Sequence, residues 1–244
     1  MIKQTPGKIY LADQRGVVES SLFRRHSTFN FGTFASEHKE PFGILYGLNE
    51  ETLAGGHQLE FSVSQASYIV LLPITGAIEF STGCGTSGLT EVEQVTTLSV
   101  PAGNTLRLRN PFAGELVSFL HLWLRATAPL TPPAPATART TVFYQQALEN
   151  QLCELVSART EDQPPLCPQL PVILSLGQFM GRHEVLYKME NTDKQLFVFV
   201  IAGAFEVEGR LLHEKDGLAL WDTSEIELEA LSNHALVLVV EMTA

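Results

Sequence analysis

The sequence predicts an all-β protein built as two tandem barrels of the jelly-roll kind. Three observations predict it: short apolar segments at strand spacing, an internal repeat of about half the chain, and a proline-rich break between the copies. The segments alternate or cluster apolar residues over a few positions and are separated by Gly, Pro, Asn and Asp, which is strand patterning rather than helical patterning.

In order along the chain, Ala77 to Phe80, Thr105 to Leu108 and Leu116 to Leu124 read as strands of the first copy. The stretch RATAPLTPPAPATAR, Arg125 to Arg139, carries four prolines in an Ala/Thr context. Such a composition suits neither a helix nor a central strand. It predicts a linker over 125–141, a first barrel over 1–124 and a second over 142–244. Val142 to Ser157 predicts a short leading helix, because Val142, Leu148, Leu152 and Leu155 share a face at helical spacing. Gln195 to Val200, Phe205 to Val207, Ile226 to Leu228 and Ala235 to Glu241 are the strands of the second copy. Within the repeat, IVLLPITGAIEF around Gly76 matches FVFVIAGAFEVEG around Gly203, and LSVPAGNTLRLRN matches LALWDTSEIELEA. The two glycines mark tight bends between strands, where the absence of a side chain costs least.

Composition excludes several function classes. The formal net charge of -11 repels phosphate backbones, so no direct nucleic-acid partner is expected. The run Leu196 to Phe205 is about half of the roughly 20 residues a spanning helix needs, and no membrane partner is expected either. Cys84, Cys153 and Cys167 contain no close pair, and the N-terminus offers no apolar leader, which together suit a reducing cytoplasm. A small-molecule ligand or a protein partner remains; oligomeric state is not legible. STGCGTSGLT, Ser81 to Thr90, follows a strand without opening a helix and is read as a hairpin, not a phosphate loop.

Three stretches resemble the pirin and quercetinase-like bicupin family: RRHSTFNFGTF from Arg24, DGLALWD from Asp216 followed by IELEA, and the frame of Gly76 with Pro101, Ala102 and Gly103. The resemblance implies two cupin barrels, the first holding iron or a similar metal through three histidines and a glutamate. Neutral imidazoles and a carboxylate bind such an ion and leave positions open for substrate or dioxygen. Counted from Gly76 and Gly103, those four positions fall on Ser62, Ser64, Leu108 and Asn110. The site is therefore read as degenerate, with no metal ligand and no catalytic residue assigned. Ser62, Ser64, Tyr68, Leu108 and Asn110 are the expected pocket lining. If Leu108 points inward with Leu106, Arg107 and Arg109 face outward.

His57, Glu60 and His121 are the nearby alternatives, with His57 read as a loop residue and His121 as a strand residue at the surface or hydrogen-bonded inside. His183, His213 and His234 lie far apart, and the repeat places the second barrel's equivalent positions near Glu190 and Thr192. Trp221 is read as packing a strand corner. The expectation is a pirin-like bicupin without cofactor, acting as a non-catalytic small-molecule-binding or regulatory protein. The alternative is a metal-dependent quercetin 2,3-dioxygenase, which would need iron or another divalent transition metal.

Overall fold

The computed structural model describes residues 5–126, 136–156, 170–189 and 194–243. The strands divide into two units, each a large antiparallel sheet closed by a four-stranded one. The first strand, β1 (Gly7–Tyr10), belongs to the second unit.

The first unit contains β2 (Gly16–Glu19), β3 (Phe23–Ser27), β4 (Leu45–Leu53), β5 (Gln58–Val63), β6 (Ser67–Thr75) and β7 (Ala77–Thr82). It continues with β8 (Ser87–Glu91), β9 (Gln94–Val100), β10 (Asn104–Arg109), β11 (Val117–Arg125) and β12 (Thr137–Val142). Its large sheet runs β12-β9-β6-β11-β4-β3-β2 and its small sheet β5-β10-β7-β8. The second unit contains β13 (Cys153–Val156), β14 (Val172–Phe179), β15 (Glu184–Lys188), β16 (Lys194–Ala202) and β17 (Phe205–Val207). It ends with β18 (Arg210–Leu212), β19 (Gly217–Leu220), β20 (Glu225–Ala230) and β21 (Ala235–Thr243). Here the orders are β1-β19-β16-β21-β14-β13 and β15-β20-β17-β18.

The repeat read in the sequence is thus a repeat of topology. β9-β6-β11-β4 corresponds to β19-β16-β21-β14, and the small sheets match strand for strand. In each copy one further strand covers the exposed edge: β12 on β9, and β1 on β19. Covering matters because an open edge is a template for unwanted pairing.

These edge strands move the boundaries from those the sequence suggested. Residues up to Gln14 join the second unit, and the first runs from Arg15 to Phe143. Of the expected linker, 127–135 lies outside the described residues, but its end forms β12. The expected helix over Val142 to Ser157 is corrected: only Gln145–Leu148 makes a 3₁₀ turn, and Cys153–Val156 is a strand. Asn150 takes a positive φ of 56°, and its N–H donates to the Gln178 carbonyl at 2.7 Å, so the helical spacing of the leucines is broken midway.

Strand alternation builds each core. Leu59, Phe61, Val63, Ile69, Leu71, Leu106, Leu108, Phe119 and Trp123 fill the first barrel. The second is filled by Leu196, Val198, Val200, Phe205, Leu218, Leu220, Val237 and Val239. Gly76 and Gly203 occupy equivalent bends with φ of 72° and 80°. A Cβ on Gly203 would lie 2.4 Å from Ser232 Oγ and 3.0 Å from Ala235 Cα. Gly209, with φ of 69°, has open space instead. Gly203→Ala should therefore lose about 3 kcal/mol, combining left-handed strain with a clash, and Gly209→Ala only about 1 kcal/mol. Urea unfolding of the two variants measures the difference.

A buried ion-pair cluster in the first barrel

β5 alternates outward and inward, with Gln58, Glu60 and Ser62 exposed and Leu59, Phe61 and Val63 buried. Ser62 and Ser64 consequently do not line the interior, and the expectation that they would is corrected. β11 pairs Ser118 with Thr75 but Phe119 with Pro73, leaving Ile74 as an extra residue in β6. A count backward from Gly76 passes through this bulge and through the turn at 64–66 before it reaches β5, so strand phase is not carried from one to the other. The inward pair on β5 is Phe61 and Val63.

Of the other expected lining residues, Leu108 does face the core beside Leu106. Arg107 and Arg109 lie outside and pair with Glu60 at 2.7 Å and Glu79 at 3.0 Å. Tyr68 is buried, but on the face opposite to Ile69 and Leu71, which point into the barrel. Asn110 is buried at the end of β10 and staples a loop. Its Nδ2 donates to the carbonyls of Leu53 (3.1 Å) and Glu115 (2.7 Å), and its Oδ1 accepts from the Phe112 N–H (2.9 Å). The five positions are not brought together.

What the interior does hold is His121, hydrogen-bonded inside as one of its two expected placements had it, together with Arg25 and Glu51, which sequence reading missed. β3, β4 and β11 are adjacent, with Arg25 opposite Glu51, Ser27 opposite Asn49, and Asn49 opposite His121. Directly paired residues project to one face, so all five side chains enter the same side of the sheet. Glu51 and His121 are fully buried. Arg25 Nε donates to Glu51 Oε1, which also bonds His121 Nε2 at 3.1 Å. Trp123 Nε1 lies 2.6 Å from His121 Nδ1. Indole only donates, so Nδ1 must be the accepting nitrogen and Nε2 carries the proton given to Glu51. The imidazole is therefore neutral. Burial pushes its pKa below the ordinary value and the Arg25 charge adds to this, against the opposing pull of Glu51.

The Arg25 guanidinium is enclosed by rings: its Cζ lies 4.7 Å from the Phe61 centroid, 5.6 Å from Phe31 and 5.9 Å from Phe23. Cation–π attraction of this kind strengthens as water is removed. The positive charge is thus held between one carboxylate and three aromatic faces.

A divalent metal does not fit these donors. Both His121 nitrogens are engaged, and the nearest carboxylate oxygen already serves Arg25 and His121. His57 stacks on Phe23 in a loop. His183, His213 and His234 occupy separate loops, and Glu190 and Thr192 lie outside the described residues. Among the described residues no group of three or more His, Cys, Asp or Glu side chains is placed to hold an ion. In the second barrel Glu241 accepts from Tyr187 Oη at 2.7 Å and pairs with Lys194. Burial, with that carboxylate beside it, pushes the Tyr187 phenol far above its usual range.

The comparisons with known proteins agree with this architecture. Residues 156–242 match the family model of the quercetinase C-terminal cupin domain. The fold is that of a pirin-like bicupin. It is 21% identical over 231 residues to the Pseudomonas aeruginosa protein named "Putative quercetin 2,3-dioxygenase PA1210", covering 93% of this chain and 96% of that one. The fold of the bacterial pirin YhhW from Escherichia coli, solved with nickel(II), superposes with a TM-score of 0.82 at 16% identity, covering 98% and 99% of the two chains. A quercetin 2,3-dioxygenase from Acinetobacter baumannii superposes with a TM-score of 0.73 at 14% identity, over all of this chain and 88% of that one. Among the described residues no helix of this bicupin is long and apolar enough to cross a membrane.

Proposed function

We propose that this pirin-like bicupin works without the family's metal, as a non-catalytic protein that binds a small molecule or a protein partner. The observation that carries this reading is the inward face of β5 and β10. Leu59, Phe61, Val63, Leu106 and Leu108 supply no lone pairs to an ion. The imidazole nearest to them is already committed, through both nitrogens, to Trp123 and Glu51. Glu51 is in turn neutralised by Arg25, which takes the role a bound cation would otherwise have beside a buried carboxylate.

The net charge of -11 favours a protein or neutral small-molecule partner over nucleic acid. A cytoplasmic location suits Cys84 and Cys153, which are free among the described residues. The second reading, a metal-dependent quercetin 2,3-dioxygenase, is favoured by the names of the relatives and needs a ligand set that the barrel interior does not offer.

Elemental analysis separates them. The purified protein is expected to carry well under one equivalent of iron, nickel, copper or manganese and to consume no dioxygen with quercetin. One tightly held equivalent, together with quercetin-dependent oxygen uptake, would establish the dioxygenase reading instead.

A further inference from the structure

Beside the ion pair, the first barrel contains a second set of polar atoms, and these lack partners. Among the described residues nothing hydrogen-bonds Glu51 Oε2, the Asn49 Oδ1 and Nδ2 atoms, or Ser27 Oγ, although all are shielded from solvent. Ser27 is 1% exposed, Asn49 and Glu51 not at all. The register places Ser27 directly across from Asn49, and Glu51 two residues along β4 on the same face. Four orphaned atoms therefore lie on one face of the sheet, on three side chains that strand register makes neighbours.

Leaving such atoms bare is costly, and buried polar groups without a protein partner are commonly satisfied by an ordered water or a bound molecule. We propose that Ser27, Asn49 and Glu51 form an internal binding site for a small neutral guest that both donates and accepts hydrogen bonds. Glu51 Oε2 and Asn49 Oδ1 require donors on the guest; Asn49 Nδ2 requires an acceptor; Ser27 Oγ serves either way. Arg25 already balances the Glu51 charge, so a cation has no net attraction here and an anion would face the carboxylate. Solvent water and a small hydroxyl- or amide-bearing molecule share the required chemistry. The site rests on the reading of this barrel as metal-free.

Two experiments test it. The first is a high-resolution crystal structure of the wild type from polyol-free conditions, with anomalous data at the transition-metal edges. A peak within hydrogen-bond distance of at least two of the three side chains is expected, compact for water and extended for an organic guest. The second is Asn49→Leu, a substitution of similar volume. With a guest bound, the variant evicts it and Tm falls by roughly 3–8 °C. With nothing bound, leucine removes an uncompensated polar group and Tm rises. An empty site with the side chains turned onto protein partners, or a rise in Tm, overturns this inference alone. A metal peak overturns both it and the metal-free reading.

Discussion

Arg25→Met should destabilise the first barrel by about 3–5 kcal/mol, the largest effect expected of any single charged-to-apolar change in this protein. The substitution keeps most of the aliphatic stem that packs between Phe23, Phe31 and Phe61, and removes only the charge. What it leaves is a Glu51 carboxylate with no exposed surface and, among the described residues, His121 as its remaining side-chain donor. An uncompensated buried charge is the reason that breaking such a pair costs more than making it contributes. The double variant Arg25→Met with Glu51→Leu should recover most of the loss, since no ion is then stranded. Denaturant unfolding of the three proteins completes the cycle, each carrying Trp221→Phe so that Trp123 fluorescence reports the first barrel. If the single variant matches wild type, the ion pair is open to water in solution.

The second large effect is a dependence on pH. The folded His121 is held neutral, chiefly by burial, while the unfolded imidazole takes up a proton near pH 6.5. Below that pH the unfolded chain binds more protons than the folded one, so unfolding becomes easier as acid is added. The contribution is complete above the unfolded value and is lost as pH falls toward the depressed folded value. The slope is about 1.4 kcal/mol per pH unit for one such group. His26 is also depressed, by its own burial and the nearby Arg15, and acts in the same direction. His121→Gln offers an amide N–H to Glu51 and an oxygen to Trp123 without titrating. Stability measured between about pH 6.5 and 5, above the carboxylate range, should fall steeply in wild type and more shallowly in the variant. Equal slopes would show that His121 is not the responsible group.

The barrels were legible because their residues obey a local rule. Val237 and Val239 of β21, like Leu106 and Leu108 of β10, announce a buried strand face by alternation alone. Two of the ligand positions were less so: Ser62 and Ser64 were located by a count that ran through Ile74 and the turn before β6, and neither leaves a mark of strand phase in the sequence. The ion pair was least legible. Arg25, Glu51 and His121 come from three strands far apart in the chain, and each looks unremarkable among its neighbours. The one available signal was phase: Glu51 and Asn49 share the inward phase of Leu53, and His121 that of Phe119 and Trp123. The helix was misread because Val142, 59% exposed on an edge strand, was counted with leucines that belong to other elements.

The strand that covers β19 has a consequence for the order of synthesis. β1 leaves the ribosome before the other strands described, yet its docking strand, β19, emerges only after the first barrel has been made. The barrel that starts at Arg15 can close meanwhile, whereas its neighbour must wait to recruit a leading segment already tethered at a distance. An amino-terminal truncation would thus injure the half of the protein encoded last.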